Sequence, residues 1–531
     1  MENLKEKPRV RIAPSPTGPF HIGTARTALF NYLFAKKYKG SFILRIEDTD
    51  KERSKKEWEN DIVKSLLWLG LTWDEGPNPK DTNQEIGSFG PYHQSKRTEI
   101  YKKYLEKMIN EGKAYYCFCS PEELEAKRQY FMSIGQPPRY DGTCRNLTKQ
   151  EVEKKFQEGK PFVIRMKTPE KKLSFVDLIH GKIEIDTSLL GDFVLAKSFE
   201  EPLYNFACVI DDYEMKITHI IRGEDHIPNT PKQILIQEAL GLPRPQYAHL
   251  PLILGPDKSK LSKRHGDVAF SQYIKKGFLP EAMLNFMAFL GWNPGDEREF
   301  FNIYQLIEEF SLERCQKSPA IFNIQKLIWL NGHYIRKKPI KSLTRLCIPY
   351  LVETGLIKPL YEATIKLINN NHHNHSDEIK DTYIVVETQE KISFSYIQKI
   401  VEIYQERLKY LAEIPELVDF FFKKELSYSK ELLFWKEARE KETLKALKTL
   451  KSLLSKIKKE EWHKEKLAEI ILPAAEKFNE KNRGYLLWPL RVALSGKKAS
   501  AGPFEIAEIL GKEKTLSRIE AAQILIKKEK K

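Results

Sequence analysis

Apolar and polar positions change period several times in the first fifty residues. RVRIA, from Arg9 to Ala13, has the length and β-branched content of a short strand, and the Pro/Ser/Gly run PSPTGPF that follows is a loop. From His21 the period becomes helical. Ile22, Ala25, Leu29 and Leu33 fall on one face, lysines gather at the end, and Gly40 is placed to stop the helix as a left-handed residue. SFILRIED then predicts a second strand, making a βαβ unit. A doubly wound parallel sheet binds its ligand beyond the carboxyl ends of its strands. Both the Pro14–Pro19 loop and the acidic end of SFILRIED would lie there.

Beyond a helical stretch from Trp58 to Leu71, the pattern turns irregular between Gly112 and Asp192, with short strands such as FVIRMK and DFVLAK among turns. This predicts an α+β insertion. The segment from Pro202 to Leu240 predicts strand, strand and helix, so the sheet resumes there and ends before KLSKR at Lys260 to Arg264. After Pro280 amphipathic helical segments dominate, and an all-α C-terminal half is expected. NNNHHNH, from Asn369 to His375, breaks that pattern as a loop, either solvated or metal-binding through His372, His373 and His375. KALKTLKSLLSKIKKEEWHKEK sets leucines at helical spacing under a lysine face, which suits RNA or plain solvent.

A chain of 531 residues exceeds one ordinary core, so two to four domains are expected. The net charge of +15 would attract nucleic acid or an anionic membrane, or serves simply as a solubilising basic surface. No apolar run reaches the roughly 18 to 20 residues that span a bilayer, and MENLKEKPRV lacks an apolar signal core, so a soluble cytoplasmic protein with no membrane partner is expected. Six scattered cysteines do not make a disulfide framework; only Cys117, Cys119 and Cys144 lie near enough to share a metal.

The two commonest nucleotide cradles, GxxxxGK[ST] and GxGxxG, are absent, as are kinase, zinc-protease and serine-hydrolase signatures. What remains is a pair of distant segments, PSPTGPFHIGT and KLSKR. His21 stands at a helix start, where backbone amides attract phosphate, and Gly23 lets a nucleotide approach the backbone. Lys260 and Lys263 are donors for phosphate oxygens that gain charge as a nucleophile attacks. Around an acidic amino acid, Arg11 and Arg222 would clamp carboxylates, Glu47 would face an ammonium and Tyr204 would donate a hydroxyl. A structural salt bridge from Arg45 to Glu47 or Asp48 is the ordinary alternative.

RIAPSPTGPFHIGTARTALFNYLFA, LRIEDTD, YNFACVIDDYEMKITHIIRGEDH and KLSKRHG closely resemble the bacterial-type glutamyl-tRNA synthetases, a class I aminoacyl-tRNA synthetase family, and WPLRVALSG with PFEIAEILGKE extends the likeness to the C-terminus. The resemblance implies a Rossmann-type catalytic domain in two parts (1–111 and 194–270), a connective insertion (112–193), a helical stem-contact region (271–340) and a helical anticodon-binding domain (341–531). HIGT and KLSKR stand where the family carries its HIGH and KMSKS motifs, so His21, Gly23, Lys260 and Lys263 are the implied catalytic and ATP-binding residues. Arg11, Ala13, Ser15, Glu47, Tyr204 and Arg222 match glutamate-binding positions, and Asp225 and His226 the ATP pocket. Implied substrates are ATP with Mg²⁺, L-glutamate and tRNA(Glu), handled by a monomer.

Zinc-binding members place a fourth ligand two residues after the third cysteine, where this chain has Asn146, a poor zinc donor. A Cys₃ site completed by Tyr130, Tyr140 or an outside group and a metal-free Cys-x-Cys turn both stay open. Arg407 falls near the helix where discriminating members read the last anticodon base. The alternatives are a non-discriminating enzyme that also charges tRNA(Gln) for later amidation and, more remotely, an inactive RNA-binding relative. The PSPTG entry and the long helical C-terminal half argue against a glutaminyl enzyme and the shorter tRNA-modifying paralogues.

Overall fold

The computed structural model describes residues 6–136, 138–259, 261, 269–360, 382–480 and 482–527. Lys260 and Lys263 of KLSKR, and the tract from Asn369 to His375, lie outside the described residues. The chain divides into two compact units, one of residues 1–275 and 279–330, the other of 276–278 and 331–531.

In the N-terminal unit the strand Arg9–Ile12 pairs in parallel with Ser41–Leu44, Arg9 opposite Ser41. The helix Ile22–Lys37 joins them. Its predicted apolar face is fully buried at Ile22, Ala25, Leu29 and Leu33, and Phe30 and Phe34 bury the neighbouring face, leaving Lys36 and Lys37 at its end partly exposed. The stop is built differently from expectation: Lys39 takes the left-handed backbone at φ 54°. Gly40 is needed for space, because a Cβ there would come within 2.0 Å of the Pro8 carbonyl.

A second set of strands lies on the far side of Arg9–Ile12, where Thr218 N–H donates to Arg9 O. His219–Gly223 follows and pairs in parallel with Gln246–Leu250, Arg222 lying opposite His249. Residues on both sides of the insertion therefore share the central layer. An antiparallel sheet of Ala114–Cys117, Val163–Met166, Val194–Ser198 and Glu201–Pro202 starts in the expected insertion (112–193) and runs past its C-terminal bound by two strands. The insertion does not stand apart, since its hairpin of Lys172–Asp177 and Gly181–Asp186 joins the central layer through the pairing of Asp177 with Tyr247.

The first strand expected after Pro202 is instead a helix, Tyr204–Glu214. Its inner face carries Phe206, Ala207 and Ile210 together with Asp211 and Asp212, all buried. Acids that face inward to meet arginines hide a helical period.

The C-terminal unit is helical, as expected. Part of its core comes from Glu440–Ser455, Lys464–Phe478, Gly484–Ser495 and Pro503–Lys527, the last broken at Gly511, where φ is 77°. The spaced leucines Leu447, Leu450 and Leu454 are buried. A small antiparallel sheet of Ile357–Pro359, Thr382–Val385 and Lys391–Ser393 is an addition that the amphipathic pattern did not predict.

Candidate active site

A cleft of about 1000 Å³ opens at the carboxyl ends of the central strands. Every described residue proposed from the sequence for ATP or glutamate lines it: Arg11, Ala13, Ser15, His21, Gly23, Glu47, Tyr204, Arg222, Asp225 and His226. Leu261 also lines it, between the two motif lysines in sequence.

His21 caps the helix that follows it. Its Nδ1 accepts the Thr24 N–H at 3.3 Å, so a neutral ring carries its proton on Nε2, which meets Thr24 Oγ1 at 3.0 Å. A Cβ on residue 23 would press on Nδ1 at 3.2 Å, so Gly23 makes room for the ring itself. Arg26, one turn on, also lines the cleft and donates through Nη1 to the carbonyls of Pro251 and Leu290. Sequence reasoning passed over it.

Beneath the cleft lies a buried lattice of charge. Asp212 accepts from Arg11 Nε at 3.0 Å and Nη2 at 3.2 Å, and from Arg45 Nη1 at 2.7 Å. Arg45 Nη2 also reaches Glu47 Oε1 at 3.0 Å. Asp211 accepts from Arg97 Nε at 2.6 Å, from Gln94 at 2.8 Å and from the Tyr101 hydroxyl. Burial would raise the Asp212 pKa, but the two arginines overcome it and hold the carboxyl down at about 2. Burial wins at Glu47, whose pKa is raised despite Arg45. The Arg45–Glu47 bridge weighed from the sequence is thus real and buried, whereas Asp48 accepts from Ser95 instead. Asp211 and Asp212 went unrecognised in the sequence; the available signal was two adjacent aspartates inside the apolar run FACVIDDYE.

Arg222 has different company. Its Nε donates to His249 Nε2 at 3.2 Å, Nη1 to the Tyr204 hydroxyl at 3.4 Å, and Nη2 to Thr230 Oγ1 at 2.9 Å and Gln233 Oε1 at 2.8 Å. None of these acceptors is an acid. Arg222 is only 5% exposed, and among the described residues its charge is not met by a hydrogen-bonded carboxylate. Tyr204 hydroxyl lies 3.1 Å from His226 Nδ1. Burial, with Arg222 nearby, pushes His226 down to about 4, so at neutral pH its ring is an uncharged acceptor.

In the insertion the thiols of Cys117, Cys119 and Cys144 lie within 4.8 Å of one another. The Tyr140 hydroxyl sits among them, 3.3 Å from Cys117 Sγ and 3.5 Å from Cys119 Sγ. Asn146 is exposed, and Tyr130 is exposed as well. In the C-terminal unit Arg407 is exposed at the end of a 3₁₀ turn, Gln405–Arg407. Its charge helps to lower the pKa of Arg491, after burial, and the Arg491 guanidinium lies 4.4 Å above the Trp488 ring.

The chain is similar to known proteins over nearly its whole length. The family model for the class I (E and Q) tRNA synthetase catalytic domain matches residues 7–329, and that for an anticodon binding domain matches 346–523. A glutamate–tRNA ligase of Caldicellulosiruptor saccharolyticus is 46% identical over 96% of this chain and 98% of its own length. One of Caldanaerobacter subterraneus is 44% identical over 97% of each. Among solved structures, a glutamate tRNA ligase of Elizabethkingia meningosepticum, crystallised with its amino acid, superposes with a TM-score of 0.82. It is 35% identical and covers 98% of this chain and 100% of its own. With both family models in order and relatives matched over nearly their full length, the chain belongs to the class I tRNA synthetases of the glutamate and glutamine (E and Q) family.

Proposed function

We infer that this chain is a glutamate–tRNA ligase. It activates L-glutamate with ATP and passes the glutamyl group to the 3′-terminal adenosine of tRNA(Glu). The observation that carries the choice of amino acid is Arg222: a buried cation held by four uncharged acceptors on the wall of the cleft calls for an anion from the ligand. Glutamate supplies one in its side-chain carboxylate; the neutral amide of glutamine does not.

In this reading Arg11, Ala13, Ser15, Glu47 and Tyr204 surround the rest of the amino acid, and Asp225 and His226 border the nucleotide. ATP enters as its Mg²⁺ complex, the ion carried on the phosphates. The α-carboxylate of glutamate attacks the α-phosphorus, the bond to the β-phosphate oxygen breaks, and pyrophosphate leaves with that bonding pair. His21 Nε2–H, Lys260 and Lys263 donate to oxygens that gain charge in this step, and Gly23 keeps the His21 ring seated. The 2′-hydroxyl of the tRNA then attacks the activated carbonyl and AMP departs. The five segments drawn from the sequence serve as the working division of the chain, with Arg407 and Arg491 on the face that reads the anticodon, and the enzyme acts as a monomer.

The donor set in the insertion fits zinc. Three soft sulfurs and one phenolic oxygen make four ligands, and the Cys119–Cys144 separation of 3.7 Å is close to the roughly 3.8 Å that two Zn–S bonds of about 2.3 Å span in a tetrahedron. Cys117, Cys119, Cys144 and Tyr140 would hold the ion, which would brace the insertion and take no part in the chemistry. Metal analysis of untagged protein tests this; less than about a tenth of an equivalent refutes it.

The function is tested by charging purified tRNA(Glu) and tRNA(Gln) with labelled glutamate and ATP. Charging of tRNA(Glu) alone is the expected result. Charging of both identifies a non-discriminating enzyme, and charging of neither overturns the assignment.

A further inference from the structure

Arg222, His249 and Asp177 occupy three neighbouring strands of the central layer, Arg222 opposite His249 in one pairing and Asp177 opposite Tyr247 in the next. All three are at most 5% exposed. Their hydrogen bonds favour one arrangement of protons, in which the Thr230 hydroxyl, 3.1 Å from His249 Nε2, also faces the lone pair of that nitrogen. Arg222 Nε can only donate, so His249 Nε2 must present its lone pair to the 3.2 Å contact. The single proton of a neutral ring then sits on Nδ1, where Asp177 Oδ2 accepts it at 2.6 Å. Asp177 is fixed in turn: its Oδ1 accepts the N–H groups of Ile179 and His180, both at 2.9 Å, and its Oδ2 accepts the His249 N–H at 3.1 Å.

We propose that Asp177 and His249 are positioning residues for amino-acid selection: Asp177 locks His249 in the Nδ1–H form, and His249 Nε2 aims the Arg222 guanidinium while leaving its charge uncancelled for the side-chain carboxylate of glutamate. The inference rests on the reading that Arg222 receives that carboxylate. Its physical content is the use of a neutral spacer. A carboxylate placed directly on Arg222 would aim it equally well but would cancel the charge on which selection depends. With imidazole between them, the acid keeps its orienting effect and stays out of contact. The opposite tautomer, or a charged ring, would set N–H against N–H at the Arg222 contact and forfeit the bond. Burial holds the proton affinity of His249 below its ordinary value, in keeping with a ring that stays neutral.

The test is steady-state aminoacylation with full-length protein and tRNA(Glu), varying glutamate and ATP separately, for Asp177→Asn, His249→Leu, His249→Gln and Arg222→Lys. In Asp177→Asn the carbonyl oxygen stays with Ile179 and His180, so the amide turns its N–H₂ toward His249 and drives the ring proton onto Nε2. The expected result is a KM for glutamate raised by about tenfold or more, with the KM for ATP within about twofold. His249→Leu, which has no acceptor, behaves alike. His249→Gln can present a carbonyl to Arg222 and keeps the KM for glutamate within about threefold. Asp177→Asn placed on His249→Gln adds little further effect, because no tautomer remains to be reversed. Parallel rises in both KM values would mark a merely structural role and overturn the proposal. So would an unchanged KM for glutamate in folded Asp177→Asn and His249→Leu proteins while Arg222→Lys is impaired. An unimpaired Arg222→Lys would instead overturn the reading of Arg222 beneath it.

Discussion

Two buried arginines of the catalytic unit are held in opposite ways. Arg45 meets Asp212 at 2.7 Å, Glu47 at 3.0 Å and Asp211 at 3.7 Å, so its charge is answered within the protein. Arg222 meets an imidazole, a phenol, an alcohol and an amide. Both are held by several polar partners, and what differs is the formal charge of those partners. That difference separates a cation that holds the sheet and helix together from one whose compensation is left to the ligand. It also explains why the arginine content of a cleft says little about its ligand until the partners are known.

The comparison is broken first by exchanging the charge of Arg222. Arg222→Gln is expected to lower kcat/KM for glutamate by on the order of 10³-fold or more, since the site then offers an amide to a carboxylate that must still be desolvated. Stability should change by less than about 1.5 kcal/mol, because no buried acid loses its partner. Aminoacylation kinetics beside urea unfolding give both numbers. A large loss of stability would show that Arg222 belongs with Arg45 after all.

Asp212→Asn is the converse. It leaves Arg11 and Arg45 buried without their shared counter-charge, and a cost of about 3–5 kcal/mol is expected from urea unfolding. Glutamate KM should suffer only as far as Arg11 shifts. If Asp212→Asn folds normally but binds glutamate poorly, the lattice is part of the binding site rather than its foundation.

These two arginines also mark the limit of what the sequence discloses. Arg11, Glu47, Tyr204 and Arg222 could be picked out as groups suited to an acidic amino acid, and all four line the cleft. Resemblance supplied Ala13, Ser15, Asp225 and His226 at the same wall. The pairings were hidden, because Arg11 and Asp212 are 201 positions apart and Asp177 and His249 are 72 apart. Nothing in local pattern links such distances. The same acids concealed the helix Tyr204–Glu214, where charge on an inward face imitates the alternation of a strand. The opening βαβ unit was legible because its helix, loop and strands are set by neighbours in sequence; the small sheet around Thr382–Val385 was not, its strands being too short to carry a period.

A third break comes from acid. Asp212 is held at about 2, below the ordinary 3.8, so it contributes stability that is fully present above about pH 4 and is lost as pH falls through 2. The contribution is about 2 kcal/mol. The stability difference between the wild type and Asp212→Asn should therefore be flat from pH 7 to about pH 4.5 and shrink by roughly that amount toward pH 2. Glu47 and Asp211, whose raised values act in the opposite sense, titrate in both proteins, and Glu47 is less raised in the variant because Asp212 is one of the charges that raise it. A difference that does not depend on pH would mean that the Asp212→Asn variant fails for reasons of packing, not charge.

The smallest effect is expected where the same pair of charges meets water. Lys36 Nζ lies 2.9 Å from Asp74 Oδ1, with the two side chains 28% and 41% exposed. Lys36→Ala should cost less than about 1 kcal/mol, and less still in high salt, since solvent takes over the partner it loses. Asp74→Ala should cost more than Lys36→Ala, because Asp74 Oδ2 also accepts the Phe42 N–H at 2.8 Å at the sheet edge. Thermal unfolding of the two single variants and the double variant separates the ionic part from that backbone bond. If the ionic part equals the Asp212 effect, burial is not what distinguishes the lattice; if it vanishes, distance between charges decides little here and desolvation decides the rest.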